Sequence, residues 1–218
     1  MRKLFLFPIV AMVFGFTFQS EEIKPIDIGT DLPKADVKLY DVLSGKEFSI
    51  NDKKGELGTL VIFSCNTCPY VIANESRIRS IQLDAQRMKI GVVIINSNEA
   101  KRDADDSKEA MKKYGIAKKF LAPYLVDVNS DLANAFGATR TPENFLFDKD
   151  GKLVYRGAID DSPKEEKSVK AHYLLDAMTA MSNGKEIAVK TTVSSGCSIK
   201  RLAPSSNQLV NPGLPNDK

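Results

Sequence analysis

The chain has 218 residues, 43% of them hydrophobic and 27% charged, which is the composition of a water-soluble globular protein with room for one good-sized core. Its 31 basic residues against 28 acidic ones leave +3, and Arg2 with Lys3 supply two of those charges at the extreme N-terminus. So balanced a remainder excludes a polybasic partner surface for nucleic acid or membrane.

The first element reads as an export signal: basic Arg2-Lys3, a mostly apolar stretch from Leu4 to Phe18, then Gln19-Ser20 before Glu21-Glu22. About 15 apolar residues are short for a bilayer span of about 20. Residues 1–20 are therefore expected to be a signal peptide, with the protein exported to the periplasm, or anchored there by its N-terminus if the segment is not cleaved. Export would put the sulfurs in an oxidising compartment, where an odd count of three cysteines needs a reason.

Residues 21–36 form a lead-in arm punctuated by Pro and Gly, and a globular domain is expected over 37–202. "VKLYDVLSGKEFSI" predicts a hairpin turning at Ser44-Gly45. "LGTLVIFS" and "IGVVIINS" are continuous apolar runs, expected as strands buried on both faces, with a helical segment over Tyr70 to Met88 between them. "SKEAMKKYG" predicts a helix capped by Ser107 and stopping at Gly115. "PYLVD" is a short strand, Ser130 to Phe136 a short helix ended by Gly137, and "ENFLFDKDGKLVYRG" a hairpin turning at Asp150-Gly151. A helix over Val169 to Met181 presents an apolar face, and from Ala203 the Pro-, Ser- and Asn-rich tail (203–218) is expected to be disordered. The alternation describes an α/β fold around a mixed sheet.

The chemistry concentrates in "FSCNTCPY", where Cys65 and Cys68 fall at the junction of a buried strand and the next helix. Amide N–H groups and the dipole at a helix N-terminus favour an anion, so Cys65 is expected to be the low-pKa nucleophile and Cys68 the sulfur that resolves its mixed disulfide. Pro69 fits the first helical turn. Downstream, Thr141-Pro142 precedes a strand, and a cis bond there would present the Thr141 backbone to an extended peptide; a proline that merely starts an edge strand is the plain alternative.

These residues, together with "APYLVD", "TPENFLFDKDGKLVYRGAIDDS" and "GCSIK", resemble the thioredoxin-fold redox proteins. Within them the chain is similar to a peroxiredoxin-like group related to the alkyl hydroperoxide reductase and thiol-specific antioxidant (redoxin) domain. The resemblance spans about Val37 to Lys200. It implies a thioredoxin-like fold with a mixed central sheet flanked by helices, a redox-active dithiol at Cys65 and Cys68, and Pro142 as the cis proline beside it. In peroxiredoxins the peroxide-attacking cysteine is similar in position to Cys68, with Thr or Ser three residues earlier, where this chain has Cys65. The arginine that completes the peroxidatic site has its counterpart at Pro142, with Arg140 two residues too early. Group members often carry His at Thr67, Cys at Arg140 and Trp at Arg201.

The expectation is a thiol:disulfide oxidoreductase that needs no cofactor. Cys65, Cys68 and Pro142 are its catalytic residues, Thr141 and Arg140 shape substrate binding, and Cys197 is a third redox cysteine or a small packing residue on a mobile loop. Its partners are protein or small-molecule disulfides or peroxides and a thiol redox partner, with no nucleic acid. A peroxidase attacking through Cys68, with antioxidant activity, is the alternative within the fold. A copper-binding or delivery module is the alternative of another class, and a purely structural disulfide a third. Haem attachment is excluded by Pro69, and a structural zinc would find only Cys197 and His172 to complete its ligands. Asp103, Asp105 and Asp106 read as a solvated loop, and Asp160-Asp161 as a turn.

Overall fold

A computed structural model of the chain describes residues 23–203. The expected signal peptide and the tail from 204 onward lie outside the described residues. The arm runs along the domain and is tied to it by backbone bonds from Ile26 N–H to Phe136 O (3.1 Å), Gly29 N–H to Leu153 O (2.8 Å) and Leu32 N–H to Gly151 O (2.9 Å). The hairpin follows as β1 (Leu39–Tyr40) and β2 (Glu47–Phe48), with Gly45 at positive φ in its turn.

The two apolar runs become β3 (Gly58–Phe63) and β4 (Ile90–Asn96), paired in parallel from Gly58 opposite Ile90 to Phe63 opposite Ile95. Between them lie α1 (Pro69–Ala73) and α2 (Glu75–Arg87). The single helical segment expected here is broken at Asn74. Its backbone leaves the helical region (φ −105, ψ 4), and its side-chain amide donates to Tyr70 O (2.7 Å) and Pro163 O (2.8 Å).

The Ser107 cap is present, its hydroxyl accepting from Ala110 N–H, but α3 (Lys108–Ala117) runs through Gly115 rather than stopping there. A Cβ on Gly115 would lie 2.8 Å from Leu43 Cδ2, so this glycine serves close packing, at a helix-propensity cost of about 1 kcal/mol relative to Ala. β5 (Tyr124–Val126) leads to α4 (Asp131–Phe136), which ends at Gly137 in the left-handed region. Then come β6 (Arg140–Thr141), β7 (Glu143–Asp148) and β8 (Leu153–Gly157). α5 (Tyr173–Ser182) starts later than the sequence pattern suggests, because Glu166–Ser168 forms a separate turn and Val169 is extended; His172 is its N-cap. β9 (Cys197–Ser198) closes the described chain against β6.

The central sheet has the order β5-β4-β3-β7-β8, with β3, β4 and β5 parallel and β7 and β8 antiparallel to their neighbours. This is the mixed sheet flanked by helices of the thioredoxin-like fold. Leu60 and Ile62 of β3 face α2, α3 and α5, while Val61 and Phe63 face α4, so every residue of β3 is buried. The buried Arg77–Asp160 ion pair (2.6 Å) fastens α2 to the loop after β8, so Asp160 is a clamp as well as part of a turn. Around α4, Phe136 meets Phe63 and Phe145 edge to face with centroids 5.3 Å away, and Phe147 at 5.8 Å. Phe136→Ala should lower the unfolding free energy by about 3–5 kcal/mol, read as a lower urea midpoint at unchanged slope; a loss below about 1 kcal/mol would show that α4 is not part of the cooperative core.

Candidate active site

Cys65 lies in the turn after β3 and Cys68 is the N-cap of α1, so the sulfur at the helix entrance is Cys68 and not Cys65. Both are covered, Cys65 to 2% exposure and Cys68 to 3%, while Cys197 is partly exposed. The Thr141–Pro142 bond is cis. Thr141 touches both sulfurs of the pair: its hydroxyl is 3.2 Å from Cys65 Sγ, and its carbonyl oxygen, 3.2 Å from Cys68 Sγ, accepts from that thiol when it is protonated.

The edge expected to receive an extended peptide already holds a segment of this chain. β9 pairs antiparallel with β6, Thr141 opposite Cys197 and Arg140 opposite Ser198. Gly196 makes the approach feasible, since a Cβ there would lie 2.3 Å from the Thr141 carbonyl oxygen. Cys197 is thereby seated with its thiol 2.6 Å from Cys68 Sγ and its N–H 3.4 Å from the same sulfur. It sits in a paired strand, where the sequence suggested a mobile loop. Arg140 donates to Gly196 O (3.3 Å) and so ties down this segment; its charge acts on Cys197. Beside Pro142 opens a cleft lined by Asn74, Ile159, Tyr173, Thr192 and Val193.

Hydrogen bonding and burial act differently on the three thiols. Cys68 is drawn down, first by its neighbour Cys65, then, against the cost of burial, by the Cys197 thiol and the amides of Val71 and Cys197. Cys65 is pushed up, first by its neighbour Cys68, then by burial and by the Asp106 carboxylate. Cys197 is pushed up to about 11, chiefly by burial and then by its bond to Cys68. The middle sulfur is the one that gathers the contacts, with the Cys197 thiol and N–H both against it.

Several residues that hold this arrangement gave no sequence signal. Asp106, expected in a solvated loop, is fully buried. Its carboxylate accepts from Asn66 N–H (3.0 Å), Asn96 Nδ2 (2.7 Å) and Asn98 Nδ2 (2.8 Å) and so fixes the turn between the two cysteines. Tyr124 donates to Asn66 Oδ1 at 2.9 Å. Glu143, whose carboxyl burial pushes upward, accepts from the N–H groups of Thr139 (2.7 Å) and Arg140 (3.0 Å), shaping the approach to the cis bond. An acidic run in a loop and a glutamate opening a strand look like surface until the fold is known.

A mixed sheet of this topology carrying a cysteine pair against a cis proline defines a thioredoxin-like redox protein. The sequence model of the Redoxin family matches residues 28–173, and the chain belongs to that family. Among solved structures, an uncharacterized conserved protein from Geobacillus kaustophilus is 33% identical with a TM-score of 0.76, over 83% of this chain and 94% of that one. A hypothetical protein from Sinorhizobium meliloti 1021 is 33% identical with a TM-score of 0.75, over 83% of this chain and 98% of that one. A peroxidoxin from Mycobacterium tuberculosis, 17% identical with a TM-score of 0.53 over 71% of this chain and 98% of that one, shares the fold. No curated protein matches the chain.

Thiolate absorbance in the fully reduced protein reads the acidity order directly. One thiolate should form far below the free-cysteine value of about 8.5, leaving two thiols protonated at pH 7, and Cys68→Ser should abolish that low-pH transition. A transition that survives in Cys68→Ser and vanishes in Cys65→Ser would restore Cys65 as the acidic thiol.

Proposed function

We propose that the protein is an exported thiol:disulfide oxidoreductase in which Cys65 and Cys68 form the two-electron couple and Cys68 is the reacting sulfur. The observation that carries this reading is the cysteine pair set against the cis Thr141–Pro142 bond, with Thr141 within 3.2 Å of both sulfurs and Cys68 at the entrance of α1. The Cys68 thiolate attacks a disulfide, forming one S–S bond as another breaks and releasing the first thiolate. Cys65 then gives up its proton and attacks Cys68 Sγ, closing the Cys65–Cys68 disulfide and expelling the second thiolate, which takes up a proton. The substrate disulfide is reduced by two electrons and the pair is oxidised by two. Reversed, the same steps make disulfides. Pro142 and Thr141 position the sulfurs, Thr141 through its contacts to both.

Peroxide reduction at Cys68 is the second reading, favoured by the low pKa of that thiol. The guanidinium nearest the cis bond in sequence, Arg140, is turned to Gly196 O at 3.3 Å and not to Cys68. The periplasmic location rests on the sequence of residues 1–20. Among the described residues no helix is long and apolar enough to cross a membrane.

The full chain should catalyse reduction of insulin disulfides by dithiothreitol, with at least a hundredfold loss in Cys68→Ser, and should react with hydrogen peroxide no faster than free cysteine at the same thiolate fraction. Undiminished insulin reduction by Cys68→Ser would contradict the proposal. Rapid peroxide consumption with sulfenic acid appearing on Cys68 would make the protein a peroxidase.

A further inference from the structure

The two sulfurs of the couple are almost entirely covered, and what covers Cys68 on its outer side is another thiol. The sulfurs run outward in the order Cys65, Cys68, Cys197, and only the last reaches the surface. Resting on the dithiol reading above, the geometry points to Cys197 as the port through which redox equivalents pass between the buried pair and an external thiol or disulfide.

The segment that carries Cys197 is fastened in place, which gives this thiol a fixed seat beside Cys68. Ile199 is buried in the core beneath α4, and its N–H donates to Thr139 O at 3.0 Å. Lys200 N–H donates to Asn98 Oδ1 (2.9 Å), and Lys200 O accepts from Ala100 N–H (2.9 Å). Arg201 donates to Ala138 O (2.6 Å) and to Asn134 Oδ1 (2.8 Å). Gly196 and the pairing of Cys197 with Thr141 set the thiol directly on Cys68.

The chemistry follows in balanced steps. With the pair oxidised, Cys197 loses its proton and attacks Cys68 Sγ. A Cys68–Cys197 bond forms, the Cys65–Cys68 bond breaks, and Cys65 takes up the proton as a thiol. An external thiolate, from a dithiol redox partner, then attacks Cys197 Sγ at the surface; a mixed disulfide forms on Cys197 and Cys68 departs as thiolate. The partner's second thiol breaks that mixed disulfide, so the partner leaves oxidised and the protein is reduced by two electrons.

The test steps the full chain through glutathione redox buffers, quenches with acid, alkylates, and maps every disulfide by mass spectrometry. A Cys68–Cys197 disulfide should accumulate beside Cys65–Cys68, with glutathione found on Cys197. Cys197→Ser should slow reduction of the oxidised pair by glutathione at least tenfold while shifting its equilibrium constant by less than twofold. Glutathione found on Cys68 in the wild type, with Cys197→Ser reduced at the wild-type rate, would overturn the port. Faster reduction in Cys197→Ser would overturn it too, making β9 a cover. If no Cys65–Cys68 disulfide forms in either protein, the dithiol reading itself fails, and the port with it.

Discussion

The site depends on one close backbone approach, that of Gly196 to the Thr141 carbonyl, with Cys197 paired opposite Thr141. Thr141 is already committed on its other side, its hydroxyl to Cys65 and its carbonyl oxygen facing Cys68. Pairing at this residue therefore brings a sulfur 129 residues away in sequence onto the Cys65–Cys68 pair. A side chain at position 196 would push β9 outward and separate Cys197 from the pair.

This crowding explains the distribution of charge. A carboxylate lies behind Cys65, and burial disfavours ionising it. Cys68 lies between two thiols that can both donate to it, with backbone amides adding to their pull. A sulfur so placed is both an attacking thiolate and a good leaving group, and exchange needs both properties in a sulfur that must bond to one neighbour and then release it. The buried Asp106 network and the Glu143 carboxyl fix the two loops that meet here, so the reacting atoms rest on the sheet through short hydrogen-bonded turns.

The frame was legible in the sequence where local chemistry decides it. The apolar runs of β3 and β4, the Ser107 cap, the Asp150-Gly151 turn and the Thr141-Pro142 pair each carry their signal within a few residues. The C-x-x-C pair and the order of the motifs after it pointed to the right fold class through their resemblance to thioredoxin-fold proteins. Failures came where distant groups decide. Asn74 breaks a helix through a bond to Pro163, and Gly115 stays helical because Leu43 packs on it. The surroundings of the two sulfurs come from Thr141, Asp106 and Cys197, contributed by three other parts of the chain. The place of Cys197 is set by pairing across 129 residues, and a glycine- and serine-rich approach to it resembles a loose loop when read alone.

The central claim is that β9 is seated on the β6 edge in the working protein, holding Cys197 against Cys68. Amide hydrogen exchange of the reduced full chain, resolved by residue, tests this most directly through the N–H groups of Ile199 and Lys200, which bond to Thr139 O and Asn98 Oδ1. The account predicts that both exchange as slowly as amides in the central strands, opening only with global unfolding. Exchange at the rate of an unstructured chain would contradict it, leaving the edge beside Pro142 open and Cys197 without a fixed place at the site.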